Sequence, residues 1–288
     1  MFQQANPVFV VTGAAGGMGR ACARKLGTHG LLLLTDVAAD PLEQAAQDLR
    51  AEGFRVETHF SDVSNEDSVR ELAERTRSLG AFRGMVHTAG LSPTMASWQR
   101  IIQVDLVGTA HLLHVFLPLA EPDTAVVCIA SMAGHLTGPT LAASQPELDG
   151  VLAEPLHADL LQRLEPVIIM AASKEDQSGT AYGLAKYGVI RLCQREAMVW
   201  GGRGARLVSL SPGIIQTPMG QQEFEKQPMM AMLVAQTPLK RMGTPEEIAS
   251  VVDFLLSPNA SFITGCDLLV DGGVTGVMQS SLAQTLQG

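Results

Sequence analysis

The chain has only two tyrosines, and both fall in GTAYGLAKYG at 179–188, where Lys186 follows Tyr182 by four residues. On a helix, residues i and i+4 share a face, so the phenol and the ammonium would point the same way. An isolated tyrosine ionises near pH ~10, too high for a base at neutral pH. A neighbouring cation favours the phenolate and brings the phenol towards the range where it exchanges protons well. An ordinary amphipathic helix carrying both tyrosines satisfies the same spacing, and these residues alone leave the two readings open. Tyr187 lies about 100° round a helix from Lys186 and is assigned to packing.

A second constellation lies near the N-terminus. VVTGAAGGMGRACARKL runs from a strand pattern through Gly13, Gly17 and Gly19 into a helix pattern. Gly13 permits a tight turn. Gly17 and Gly19 let backbone approach a pyrophosphate at a helix N-terminus, where free N–H groups and the helix dipole favour an anion. A structural glycine turn is the competing reading, and an acid closing the next strand is the sharper test. Asp36 closes LLLLTD, 17 residues after Gly19. A carboxylate there accepts hydrogen bonds from an adenosine ribose and repels a 2′-phosphate, which favours NAD over NADP; a solvated strand-end Asp is the bland alternative. Arg20, a basic residue beside the turn, counts against this preference, since it could assist a phosphate.

Positioning these groups requires an alternating scaffold. Short apolar or β-branched runs at 8–13, 31–36, 55–62, 84–90, 124–131, 205–212 and 267–273 alternate with longer helix-period segments. Several runs are continuously apolar, as strands covered on both faces are. The pattern predicts an α/β fold: one domain over 1–288 with a doubly wound parallel sheet. Two regions break the rhythm. Residues 135–178 carry Pro139, Pro146, Pro155 and Pro166 around a helix expected near 156–165, and residues 217–243 are rich in methionine. Both read as excursions near the binding crevice of an open α/β sheet.

Composition narrows the partners. Of 288 residues, 46% are hydrophobic and 17% charged, enough for a sizeable core; the net charge of −9, with no basic cluster, argues against nucleic acid. Cys22, Cys128, Cys193 and Cys266 lie far apart without CxxC or metal-ligand spacing, so reduced thiols and no metal are expected. The N-terminus lacks the features of a signal peptide, and no stretch approaches ~20 consecutive apolar residues. The expectation is a cytoplasmic protein with no membrane partner.

Taken together, Thr12-Gly13-x-x-x-Gly17-x-Gly19, TAG at 88–90, Ser131, Tyr182-x-x-x-Lys186, SPGIIQT at 211–217 and FITGCDLLVDGG at 262–273 resemble the short-chain dehydrogenase/reductase family over about residues 8–275. The resemblance implies a single-domain Rossmann-like sheet of about seven strands. It implies Ser131, Tyr182 and Lys186 as catalytic residues, with Asp105 at a fourth catalytic position. Cofactor contacts are implied for Gly13, Ala15, Gly17, Met18, Gly19, Asp36, Val37, Asp62, Val63, Ala89, Gly90, Tyr182, Lys186, Pro212, Gly213, Ile215 and Thr217, with Asp62-Val63 beside the adenine. Ser131 would hold the substrate oxygen while Tyr182 exchanges its proton.

The sequence departs from the family pattern in three places. His87-Thr88 stands where the family has Asn-Asn, and satisfied structural histidines are the preferred reading of both His87 and His135. Asp105, in VDLVGT, stands where the family has an Asn, and its charge near Lys186 is expected to alter the pH profile. The 51-residue step from Ser131 to Tyr182 is longer than usual, resembling 3α-hydroxysteroid dehydrogenase/carbonyl reductase-type members. Methionines adapt to varied apolar shapes, so Met219, Phe224, Met229, Met230, Met232 and Leu233 are read as a lid over an apolar substrate, with an ordinary amphipathic helix packed on the core as the competing reading. Met132, Met219 and Phe224 are the candidate substrate contacts.

The expectation is an NAD-dependent dehydrogenase/ketone reductase acting on a bulky alicyclic, steroid-like or aromatic alcohol, assembled as a homodimer or homotetramer. A non-catalytic dinucleotide sensor on the same fold is the alternative, and such proteins commonly lose the Tyr or Lys kept here. A sugar-nucleotide epimerase would usually carry a larger C-terminal substrate domain.

Overall fold

The computed structural model describes residues 6–173, 176–226 and 228–285, apart from the side chains of residues 223, 226, 228–229 and 282–285. Seven strands form one sheet: β1 (Pro7–Thr12), β2 (Leu31–Asp36), β3 (Val56–Phe60), β4 (Ala81–His87), β5 (Ala125–Ile129), β6 (Arg206–Pro212) and β7 (Asp267–Val270). Their order is β3-β2-β1-β4-β5-β6-β7, and every pairing is parallel.

The continuously apolar runs are explained by burial on both faces. Along β1, Val8 and Val10 enter one core layer, while Phe9 and Val11 enter the opposite one, as the two-residue strand period demands. The first layer is closed by α3 (Glu66–Leu79), α5 (Gly108–Phe116) and α9 (Gln177–Gly201); the second by α1 (Gly17–Leu26), α2 (Ala39–Ala51) and α12 (Pro245–Leu256). The strand order reverses between β1 and β4, which opens a crevice at their carboxyl ends. One polar row crosses the sheet there: Thr35, Thr12, His87, Cys128, Ser209 and Asp267 lie in register from β2 to β7.

Helix α5 is the second half of a longer helical run. It is preceded by α4 (Trp98–Ile101) and a π-helical segment at Ile102–Val107, in which Asp105 sits. The run from Trp98 to Leu119 is long and apolar enough to cross a bilayer, but 61% of its most apolar window is buried inside the protein. It is a core helix, its apolar residues packed inside the protein, with Gln99 and His114 on its exposed side.

The region before Tyr182 is more helical than its prolines predict. It forms α6 (Met132–Ser144), α7 (Leu148–Ala153) and α8 (Leu160–Ala171), with Pro139 inside α6 and Pro166 inside α8. The helix expected at 156–165 therefore starts later and runs through its proline. Proline withdraws the N–H that would bond four residues back; at Pro139 the carbonyl so released, that of His135, accepts from Gln279 Nε2 at 3.4 Å. Leu148, Leu152, Leu164 and Ile168 then pack with Trp98, Ile102 and Leu184, so α7 and α8 form a third apolar cluster on the α4/α9 face. Tyr187 belongs here: its hydroxyl donates to Asp149 at 2.9 Å.

Residues 217–243 supply α10 (Pro218–Lys226) and α11 (Pro228–Gln236), each opening on a proline at its first position. Helix α13 (Val274–Thr285) follows β7. Its Val274 is buried against Met132 of α6 and Leu233 of α11, with Leu136, Ile214, Met230 and Met278 packed around them.

Candidate active site

The glycine turn is built for backbone contact. Gly13 has φ +64°, and a Cβ there would lie 2.6 Å from the Ala89 nitrogen. A Cβ on Gly19 would lie 2.3 Å from the Gly13 carbonyl oxygen, so α1 can sit this close only without a side chain. No side chain caps the first N–H groups of α1. Asp36 closes β2 beside this turn, its Oδ2 accepting from the Ala15 N–H at 3.0 Å and its Oδ1 from the Ala38 N–H at 3.1 Å. The Arg20 guanidinium pairs with Asp48 at 3.0 Å and also donates to the Ala15 and Pro41 carbonyls. A turn open to backbone approach, an uncapped helix N-terminus and an acid beside it fit a dinucleotide.

The other residues assigned to the cofactor fall along the same crevice, with different exposure. Val37 is exposed after β2, and Ala89-Gly90 follow β4. Met18, Gly90, Pro212, Gly213, Ile215 and Thr217 line a cavity in the crevice. Asp62 is already engaged, accepting from the N–H and hydroxyl of Ser64 and from Arg100. Val63 is buried against Gly108, where an added Cβ would meet its Cγ2 at 2.7 Å.

Ser131, Tyr182, Lys186 and Asp105 line one cavity of about 280 Å³. They come from the end of β5, from α9 and from the π-helical segment. Ser131 is also the N-cap of α6, its Oγ accepting from the Ala133 N–H at 3.2 Å. The Lys186 ammonium is buried 5.5 Å from the centroid of the Tyr182 ring and donates to the Ile129 carbonyl at 3.2 Å. It also lies 3.0 Å from Asp105 Oδ2, while Asp105 Oδ1 accepts from the Leu91 N–H at 2.8 Å. Burial opposes charge on Lys186, but the facing Asp105 carboxylate and Tyr182 phenol outweigh it and hold its pKa above the ordinary lysine value.

His87 is embedded rather than presented to the cavity. Its Nδ1 lies 2.7 Å from Thr12 Oγ1 and its Nε2 3.0 Å from Thr109 Oγ1. The Thr109 hydroxyl donates to the Asp105 carbonyl at 2.6 Å, so its proton is committed and His87 Nε2–H must be the donor to it. Nδ1 then accepts from Thr12, whose oxygen in turn accepts from the Ala89 N–H at 3.3 Å. This directed chain joins the cofactor turn to the π-helical segment through a neutral imidazole. Burial, reinforced by the Lys186 cation, pushes the His87 pKa down to about 3. His135 lies elsewhere, with Nε2 2.7 Å from Asp267 Oδ2.

The walls beyond the catalytic cluster are apolar. Leu91, Pro93, Met132, Leu136, Ile214, Met219, Met230 and Leu233 contribute. Phe224 does not: it is exposed, because five residues at 100° each carry it well round α10 from Met219. Met232 is likewise exposed, and the Met229 side chain lies outside the described residues. Sequence reasoning missed Leu91 and Pro93, which directly follow the TAG motif, and Leu136, one helical turn after Met132.

Comparison with known proteins agrees with this architecture. A family profile described as short chain dehydrogenase matches residues 7–143, and one described as Enoyl-(Acyl carrier protein) reductase matches 167–275. A short-chain dehydrogenase/reductase, bsc3, of Alternaria brassicicola is 38% identical over 264 residues, covering 90% of this chain and 92% of the relative. The cis-4-hydroxycyclohexanecarboxylate dehydrogenase of Sinomonas cyclohexanicum is 30% identical over 286 residues, covering 95% and 98%. The solved structure of a short-chain type dehydrogenase/reductase from Mycobacterium ulcerans superposes with a TM-score of 0.72 at 25% identity, covering 93% and 90%. With the seven-stranded parallel sheet and near-full-length relatives in agreement, the chain belongs to the short-chain dehydrogenase/reductase family of oxidoreductases.

Proposed function

We propose that the protein interconverts a neutral, bulky secondary alcohol and its ketone, using NAD(H) rather than NADP(H). The observation that carries this reading is the meeting of Tyr182, Lys186 and Ser131 in one apolar-walled cavity that opens beside the glycine turn. The nicotinamide of a bound dinucleotide supplies the hydride acceptor or donor. In oxidation, the Tyr182 oxygen takes the substrate hydroxyl proton while the Ser131 hydroxyl holds the substrate oxygen. In reduction, the Tyr182 hydroxyl returns that proton. Lys186 keeps a positive charge beside the phenol, and the apolar walls exclude competing water.

The cofactor preference is supported by Asp36, held by the Ala15 and Ala38 N–H groups where a 2′-phosphate would meet its charge, and by Arg20, which is spent on Asp48. The substrate class is supported by the walls: of the described side chains lining the cavity, only Lys186 is cationic, and Asp105 faces it. The relative named for a hydroxycyclohexanecarboxylate points to ring alcohols, but the described residues of this cavity offer no second cation for a carboxylate. Assembly as a homodimer or homotetramer belongs to the same reading, and exposed Phe262, Leu268 and Leu269 at the β7 edge are candidate contacts.

The test is turnover of neutral cyclic, aryl and short aliphatic alcohols with NAD⁺ and NADP⁺, on the wild type and on Tyr182→Phe. A cyclic alcohol with NAD⁺ is expected to react fastest, and Tyr182→Phe to lose about 10²–10⁴-fold in kcat while still binding NADH. Full activity of Tyr182→Phe refutes the mechanism. Faster turnover with NADP⁺ refutes the cofactor assignment.

A further inference from the structure

The positive charge next to Tyr182 does not act alone. Two N–H-bearing groups face the side chain at 105: the Lys186 ammonium forms an ion pair with Oδ2 at 3.0 Å, and the Leu91 N–H donates to Oδ1 at 2.8 Å. An ionised carboxylate accepts both. An asparagine amide has one acceptor oxygen and one donor NH₂, so it satisfies one neighbour and confronts the other, donor against donor; a protonated carboxyl has the same defect. The site is shaped for a carboxylate that is ionised because Lys186 is.

We propose that Asp105 is a positioning residue acting through Lys186: it offsets the lysine's charge, so that Tyr182 ionises at higher pH than it would beside an unpaired ammonium and alcohol oxidation is fastest on the alkaline side of neutrality. This rests on the reading of Tyr182 as the proton exchanger.

Among the described residues, no other group facing the cluster replaces the cancelled charge. From β4, His87 is neutral across the working range, its ring held between Thr12 and Thr109. From β5, Cys128 is a free buried thiol beside Cys193, whose own pKa is held well above the ordinary thiol value by Cys128 and by burial. From α9, Tyr187 turns to Asp149. The Asp267 carboxylate of β7, at the far end of the polar row, is taken by His135 and Ser211. Burial raises the Asp105 carboxyl pKa, and the Lys186 ammonium and the Leu91 N–H offset only part of that rise. With the carboxylate ionised 3.0 Å from the ammonium, the two charges sum to zero at the phenol. Removing the carboxylate withdraws the leading support for the Lys186 charge, but the Tyr182 phenolate then becomes that lysine's counter-charge, so phenol ionisation is expected about 1–2 pH units lower.

The two-tyrosine composition makes this directly measurable. In a Tyr187→Phe background, Tyr182 is the sole tyrosine, and its tyrosinate absorbance is titrated in the cofactor-free enzyme with and without Asp105→Asn. The expected result is a midpoint about 1–2 pH units lower in the Asn variant, with the pH profile of kcat/KM for alcohol oxidation moving the same way. Asp105→Ser, smaller and equally uncharged, gives the same comparison if the Asn variant misfolds, and ¹³Cζ-tyrosine NMR of the two-tyrosine chain does so if Tyr187→Phe does. An unchanged or higher midpoint in a natively folded variant overturns the proposal. Because the titration needs no substrate, absence of wild-type turnover would sink the proposed activity without touching this result.

Discussion

The two halves of the crevice are made of different material. On the β1–β2 side, contact surface is mostly backbone: Gly13 at positive φ, Gly19 pressed on the Gly13 carbonyl, and the free N–H groups of α1. On the β5–β7 side it is side chain: Met132, Leu136, Met219, Met230 and Leu233, delivered by helices far apart in sequence. A backbone surface tolerates almost no change, because an added Cβ has nowhere to go. A side-chain surface of flexible methionine and leucine can be resized one residue at a time. The molecule thus couples a fixed cofactor half to an adjustable substrate half.

That contrast is broken or sharpened by three measurements. The largest effect is expected from Gly19→Ala, which forces the Gly13 carbonyl to move and should weaken NADH binding about 10- to 100-fold, read by cofactor fluorescence. Unchanged affinity would mean that the turn is not a rigid cradle. Next is the polar chain joining the two halves. The His87 pKa is depressed by burial to about 3, against 6.5 for the unperturbed group. Its contribution to stability is complete above pH 6.5 and is lost as the pH falls towards 3, because the unfolded chain then binds a proton that the folded chain refuses. Thermal or urea melts should show a loss of about 1.4 kcal/mol per pH unit across this window, and His87→Gln should remove that slope. The smallest effect is expected from Leu233→Ala, which enlarges the substrate half: kcat/KM should shift towards bulkier alcohols by about 10-fold, with NADH affinity unchanged. A matching loss of NADH affinity would erase the distinction between the halves.

The backbone half is the more legible in sequence for the same physical reason. Only glycine satisfies a positive φ or a 2.3 Å approach, so the requirement is written as residue identity at fixed spacing. The strands are legible too, because covering both faces of a parallel sheet demands unbroken apolar runs such as LLLLTD and AVVCI. Residue identity says less where tertiary contacts decide. Pro139 and Pro166 read as breaks, yet both lie within helices, at Pro139 because Gln279 from the far end of the chain takes up the carbonyl it releases. Phe224 reads as a substrate contact and faces solvent, since helix phase could not be fixed without the helix start at Pro218. The Thr12–His87–Thr109–Asp105 chain is silent in sequence, because its links span 75 and 22 residues.

The packing of α13 against α6 and α11 carries one more implication. Val274 and Met278 press on Met132, Leu136, Met230 and Leu233 from behind, and Gln279 holds the His135 carbonyl of α6. The last described helix is therefore an outer layer of the cavity wall, although none of its described side chains lines the cavity itself. Shortening the chain within α13, or fusing a tag to its end, would leave the sheet and the cofactor turn intact and register first as altered choice among substrates. The tail acts as a remote adjustment screw for the cavity.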